Sequence, residues 1–126
     1  MAIKKNEKTP QQRGRAAKRK GRVGETELVH KLNELGFSTR RTAQYNGKEN
    51  GSLADLVGID GVHIEAKRVE RLNIDTAMEQ AIRDSNEGEV PMVFHRRNRK
   101  GWLVTMPIEV WAEREKKFQE ERNEKK

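Results

Sequence analysis

ADLVGIDGVHIEAKR, residues 54–68, decides how the rest of the chain is read. Asp60-Gly61 is a strong hairpin-turn signal between ADLVGI (54–59) and VHIEAKR (62–68), so the stretch reads as two antiparallel strands. Side chains at i and i+2 share one face of a strand. Val62, Ile64 and Ala66 are therefore expected toward a core, and His63, Glu65 and Lys67 on the opposite face. Where Asp55 points depends on the loop. A two-residue turn pairs Ile59 with Val62 and sets Asp55 against Ala66, away from the face of Glu65. A three-residue loop, Ile59-Asp60-Gly61 with Gly61 left-handed in a bulge, pairs Gly58 with Val62. Leu56 then meets Ile64 in the core, and Asp55 stands opposite Glu65. Apolar pairing is acceptable in both registers; the expectation adopted is the bulged one, or an equivalent bulge near Asp55.

In that register two carboxylates sit with Cβ atoms about 5 Å apart. They repel unless a cation lies between them. Lys67 supplies part of the compensation, and a divalent metal does it better; oxygen ligands with open positions suit Mg2+ or Mn2+. Asp55, Glu65 and the Ala66 carbonyl are the candidate ligands. Such a site lowers the pKa of bound water and neutralises charge on a phosphodiester. Lys67, one alternation along, is placed to orient that water and to stabilise developing negative charge. A polar strand face bearing an ordinary Glu/Lys pair is the plain alternative, and E-x-K alone is a weak signal. His63 shares the face and is read as a polar strand residue rather than a ligand.

The stretch GETELVHKLNELGF (24–37) adds weight to the chemical reading. At helical spacing Leu28, Val29, Leu32, Leu35 and Glu25 fall on one side, with Gly36 as the terminating residue. Glu25 is the odd member of that stripe. A helix N-terminus favours an anion by roughly 0.3–1 kcal/mol, but that does not require the buried side. Glu25 is thus a candidate for binding a metal or its water shell.

Elsewhere, Phe37–Arg41 reads as a short strand and YNGKENGS (45–52) as a Gly/Asn-rich loop. Asn73 caps a helix running to about Ser85, with Ile74, Ala77, Met78, Ala81 and Ile82 inside. PMVFHRR (91–97) and WLVTM (102–106) read as strands. Pro107 opens a last helix, from Ile108, anchored by Val110, Trp111 and Phe118, with QEERNEKK expected to fray. The order gives an α/β fold: a mixed central sheet flanked by helices.

The chain has 126 residues, 33% of them hydrophobic and 37% charged, which fits one domain with a modest core. The absence of cysteine excludes disulfides, thiolate zinc sites and thiol nucleophiles. No apolar run approaches the roughly 18 residues of a membrane span, so no membrane association and a cytoplasmic location are expected. Net charge is +7; residues 1–22 hold nine Lys and Arg against Glu7 alone, so this segment carries +8 and the other 104 residues together −1. Residues 1–22 are therefore read as a basic, disordered arm that binds nucleic acid or merely solubilises, and 23–126 as the folded domain, with 108–126 its charged C-terminal helix.

Glu25, Asp55 and Glu65-Ala66-Lys67 together resemble the PD-(D/E)xK nuclease superfamily, with Glu on a first helix, then Asp, then (D/E)-x-K across a hairpin. GETELVHKLNELGF, ADLVG and IEAKR resemble most closely the archaeal-type Holliday-junction resolvases and related phage endonucleases, over roughly residues 21–106. The resemblance implies a restriction-endonuclease-like fold, Mg2+-dependent phosphodiester hydrolysis, catalytic roles for Glu25, Asp55, Glu65 and Lys67, branched DNA as substrate and often a homodimer; for a phage-encoded enzyme the location would be the host cytoplasm. The chain departs from the pattern in Leu53-Ala54 before Asp55 and in a long loop 42–53. Ser52 is a candidate counterpart of a resolvase serine, and Gln80 of a polar residue brought in by the second helix. Arg22, Arg40, Arg41, Arg68, Arg71, Arg96, Arg97 and Arg99 are candidates for gripping phosphates. A non-catalytic nucleic-acid-binding protein, or a nuclease of this fold acting on linear or nicked DNA, is the alternative.

Overall fold

The computed structural model describes residues 9–43 and 52–125. The expected loop 45–52, Ser52 apart, lies outside the described residues, as do the first eight residues of the basic segment. The elements are α1 (Pro10–Glu34), β1 (Arg40–Arg41), β2 (Leu56–Val57), β3 (Val62–Arg68), α2 (Ile74–Asp84), β4 (Val90–Arg96), β5 (Leu103–Thr105) and α3 (Ile108–Glu124). Their order and type follow the sequence reading. The five strands form one sheet in chain order, antiparallel except for the β3–β4 pair, which is parallel and joined through α2.

Both faces of β3 are covered. Val62 and Ile64 join Leu56, Met92 and Phe94 beneath Leu28 and Leu32 of α1. On the other face Val93 packs against Ala77 and Ala81 of α2, whose first turn is capped by Asn73 accepting from the Thr76 N–H at 3.1 Å. Burying such apolar side chains contributes about 1.5–3 kcal/mol each for the larger ones.

Two helix boundaries and the burial of four apolar side chains differ from expectation. The helix containing Glu25 begins at Pro10, not near Gly24, so the basic segment from residue 10 is helical. A capping box explains the early start: Thr9 Oγ1 accepts from Gln12 N–H at 3.1 Å, Gln12 Oε1 accepts from Thr9 N–H at 2.8 Å, and Pro10 follows the cap. Glu25 consequently lies mid-helix, and the helix-terminus explanation for it does not apply. The last helix runs to Glu124 instead of fraying, held along its surface by Gln119 donating to Glu115 at 2.7 Å and by a Glu113–Lys117 pair. Trp111, Phe118, Ile82 and Leu35, expected to pack inward, are each more than half exposed, because no described element covers those positions. Among the described residues no helix is long and apolar enough to cross a membrane.

Candidate active site

The hairpin adopts the bulged register. Leu56 pairs with Ile64, Val62 N–H donates to Ile59 O at 3.2 Å, and Gly61 has φ +74°. That conformation suits glycine, which has no Cβ to clash. Asp55 is consequently opposite Glu65. Its backbone is fixed on both sides, the N–H donating to Ile64 O at 2.9 Å and the carbonyl accepting from Thr42 N–H at 3.1 Å. Its side chain turns to β3, where Oδ2 accepts from Ala66 N–H at 2.8 Å.

Glu65 is buried, with an exposure of 1%. Oε1 lies 2.7 Å from Nε2 of His63, which is fully buried. His63 is thus a partner of Glu65 rather than a surface residue. Its Nδ1 has no hydrogen-bond partner among the described residues. A proton on Nε2, donated to Glu65, satisfies this geometry. Burial alone would lower the His63 pKa, but the hydrogen bond and charge of Glu65, with Glu89 and Asp84, outweigh it and hold it above the usual value. The alternation of β3 made this neighbour legible; its burial came from α2 closing the face.

Asp55 carries the electrostatic tension. Its carboxyl is pushed up to about 7, first by burial and then by the Glu65 charge, with further contributions from Glu25 and from a hydrogen bond shared with Glu65, against the lowering effect of the Ala66 N–H. Folded Asp55 holds its proton to higher pH than unfolded Asp55, at 3.8. Between these two values the folded state binds more protons, so rising pH destabilises it. The metal-free protein should therefore lose up to a few kcal/mol of stability through this residue as pH rises to about 7. Asp55→Asn should flatten that part of the profile in urea melts taken across the range. Parallel profiles for the two proteins would refute the carboxylate repulsion.

Glu25 comes from α1, on the other side of the sheet, and its Oε2 accepts from Arg41 Nε at 2.8 Å. Lys67 Nζ lies 3.3 Å from Gln80 Oε1, so α2 does bring Gln80 to the strand. Ser52 Oγ accepts from Ala54 N–H at 3.2 Å, just before Asp55. Arg68 and Arg96 are adjacent on parallel strands, and both pair with Glu27, at 2.9 and 3.3 Å. Glu27 is a residue that sequence reasoning passed over, since nothing local shows that α1 sets it beside two arginines. Arg22, Arg40, Arg71, Arg97 and Arg99 are exposed.

No three Asp, Glu or His side chains form a ready metal cage among the described residues. The donors expected from the sequence are the facing carboxylates of Asp55 and Glu65 and the backbone carbonyl of Ala66. Their chemistry fits a hard divalent cation, and the raised Asp55 pKa marks a charge that such a cation would relieve.

The family described as "Phage putative PDDEXK endonuclease" matches residues 16–125. The chain belongs to this family. This PD-(D/E)xK endonuclease also resembles in fold the Archaeoglobus fulgidus Hjc, a Holliday junction resolvase from an archaeal hyperthermophile. Identity is 23%, with a TM-score of 0.51, and the similarity covers 68% of this chain and 76% of that one. The restriction-endonuclease-like fold expected from the sequence is therefore the observed one. No curated protein matches the chain.

Proposed function

We propose that this endonuclease hydrolyses phosphodiester bonds of branched DNA with Mg2+ or Mn2+ as cofactor. The observation that carries the reading is Asp55 facing Glu65 across the bulged hairpin, with Lys67 one alternation further along. Asp55, Glu65 and the Ala66 carbonyl would hold the cation, with Glu25 beside its water shell. When bound, the cation acidifies water and offsets phosphate charge. Lys67 positions the attacking water and stabilises charge on the phosphate oxygens. Gln80 holds Lys67 through its Oε1, and His63 holds Glu65. Arg41, paired with Glu25 at 2.8 Å, would exchange that partner for a phosphate. The exposed Arg22, Arg40, Arg71, Arg97 and Arg99 are the remaining phosphate contacts, with Arg68 and Arg96 behind them and Ser52 at the entry to Asp55.

The branched substrate is supported by the fold likeness to the archaeal resolvase. Cutting two opposed strands of a junction requires two such sites, so the working form would be a homodimer. The place of action would be the cytoplasm, that of the host for a phage protein.

The test uses a labelled four-way junction and its linear duplex, each with Mg2+, Mn2+ or chelator. Paired symmetric cuts confined to the junction and dependent on the cation are expected. Equal cutting of both DNAs would remove the branched-substrate reading and retain the nuclease. Cutting in chelator would remove the metal.

A further inference from the structure

α1 carries more helix than the core requires. Gly24 lies so close to β3 that a Cβ there would meet the Arg68 Cβ at 2.9 Å. Arg68 ends β3, and Leu28 and Leu32 follow beneath the sheet. The helix therefore runs antiparallel to β3, and everything before Gly24 extends past that strand's C-terminal end. Of the side chains described there, residues 10–13, 15 and 21–23 are all exposed. From Lys8 to Gly24 the sequence has no Asp or Glu, whereas Arg13, Arg15, Lys18, Arg19, Lys20 and Arg22 are basic. At ~1.5 Å per residue, residues 10–23 reach about 20 Å beyond the sheet. The helix continues without a break into Glu25, whose charge acts on Asp55.

We propose that the first half of α1 is a phosphate-binding arm lying along duplex DNA that flanks the cleavage site, out to about six base pairs from it. Its composition selects the partner. A basic helical surface without acids or an apolar stripe has little to offer a protein groove, and its charges complement a polyanion. Its continuity with Glu25 selects the place, because one unbroken helix from the arm to Glu25 would hold the bound duplex at a set distance from the carboxylates. The chemistry is that of backbone recognition, sequence-independent and driven by counterion release. The distance from a cut site rests on the nuclease reading; the DNA contact does not.

The experiment measures binding of the full chain, in Lys67→Ala form, to a junction with arms well over twice that length across a range of salt concentration. Adding Arg13→Gln and Arg15→Gln should lower the slope of log affinity against log salt by about two, at ~0.9 for each phosphate no longer neutralised. Because the natural chain has no cysteine, Arg15→Cys offers a single attachment point for an iron chelate. Hydroxyl-radical cuts should cluster about four base pairs from the enzyme's own cut, and Glu87→Cys, at the opposite end of the sheet, should give none there. An unchanged salt slope overturns the proposal, as do cuts that are scattered or shared by the Glu87→Cys protein. If the wild-type chain fails to cleave DNA while the slope change persists, the nuclease reading falls and the arm's DNA contact stands.

Discussion

Lys67→Ala is expected to slow metal-dependent cleavage by roughly a hundred- to a thousand-fold, the loss that follows removal of one preorganised donor at a developing charge. DNA affinity should change by much less. The chain carries 27 Lys and Arg, and neutralising one phosphate fewer lowers the salt slope by only about 0.9. This expectation rests on the proposed role of Lys67, which shares its strand face with Glu65 and lies 3.3 Å from Gln80 Oε1. Lys67→Arg should not rescue, since a planar guanidinium does not replace a compact ammonium of similar reach. Gln80→Ala should cost less, roughly tenfold, by letting the ammonium wander from the near-attack geometry. Single-turnover cleavage under excess protein, with binding measured separately, distinguishes these outcomes. A Lys67→Ala protein that cuts at the wild-type rate would sink the assignment. A drop in binding equal to the drop in cleavage would make Lys67 a phosphate anchor instead.

Gly58→Ala is expected to destabilise the fold by about 3–5 kcal/mol, a large part of the ~5–15 kcal/mol available to a domain. Two effects combine. Gly58 has φ +123°, a backbone region that L side chains rarely adopt, and an added Cβ would lie 2.2 Å from Ser38 O and 2.8 Å from Thr39 Cα. These are backbone atoms of the segment entering β1, so relief means pushing β1 away from β2. Arg41, on β1, would then leave Glu25. Gly36→Ala provides the control. Its φ is +104° but nothing lies within 4 Å of the added Cβ, so only the conformational cost of about 1 kcal/mol remains. Chemical denaturation of the two variants reads the difference directly. Equal midpoints would mean that β1 yields without cost.

How far the site was legible depends on the range of each signal. The face shared by His63, Glu65 and Lys67 follows from the two-residue period of any strand, and the start of α2 follows from Asn73. The bulged loop was open to reading because Asp60-Gly61 limits the turn to a few types, yet apolar pairing did not separate the two registers. Glu25 was visible as a charge in an apolar stripe. Its partner Arg41 was visible only as one of many basic residues.

Other features depend on which segments meet. The start of α1 escaped because residues 10–23 lack an apolar stripe, and periodicity reports a helix only where one side is buried; the capping box at Thr9 was the available sign. His63 became buried because α2 closes the second face of β3. Glu27 sits against Arg68 and Arg96 because α1 crosses the ends of two parallel strands that are distant in sequence. Trp111 and Phe118 were placed inside on hydrophobicity alone, and the structure covers neither.

The sequence by itself determined the order of elements, the faces of β3 and the residue types of the candidate site, since these rest on spacings within one strand or helix. Tertiary structure decided that Asp55 meets a buried Glu65, that His63 contacts Glu65 and Gln80 contacts Lys67, and that the basic segment leaves the sheet as a helix. Those outcomes depend on close packing between segments far apart in the chain, where a carbonyl 2.2 Å from an absent Cβ counts for more than any local preference.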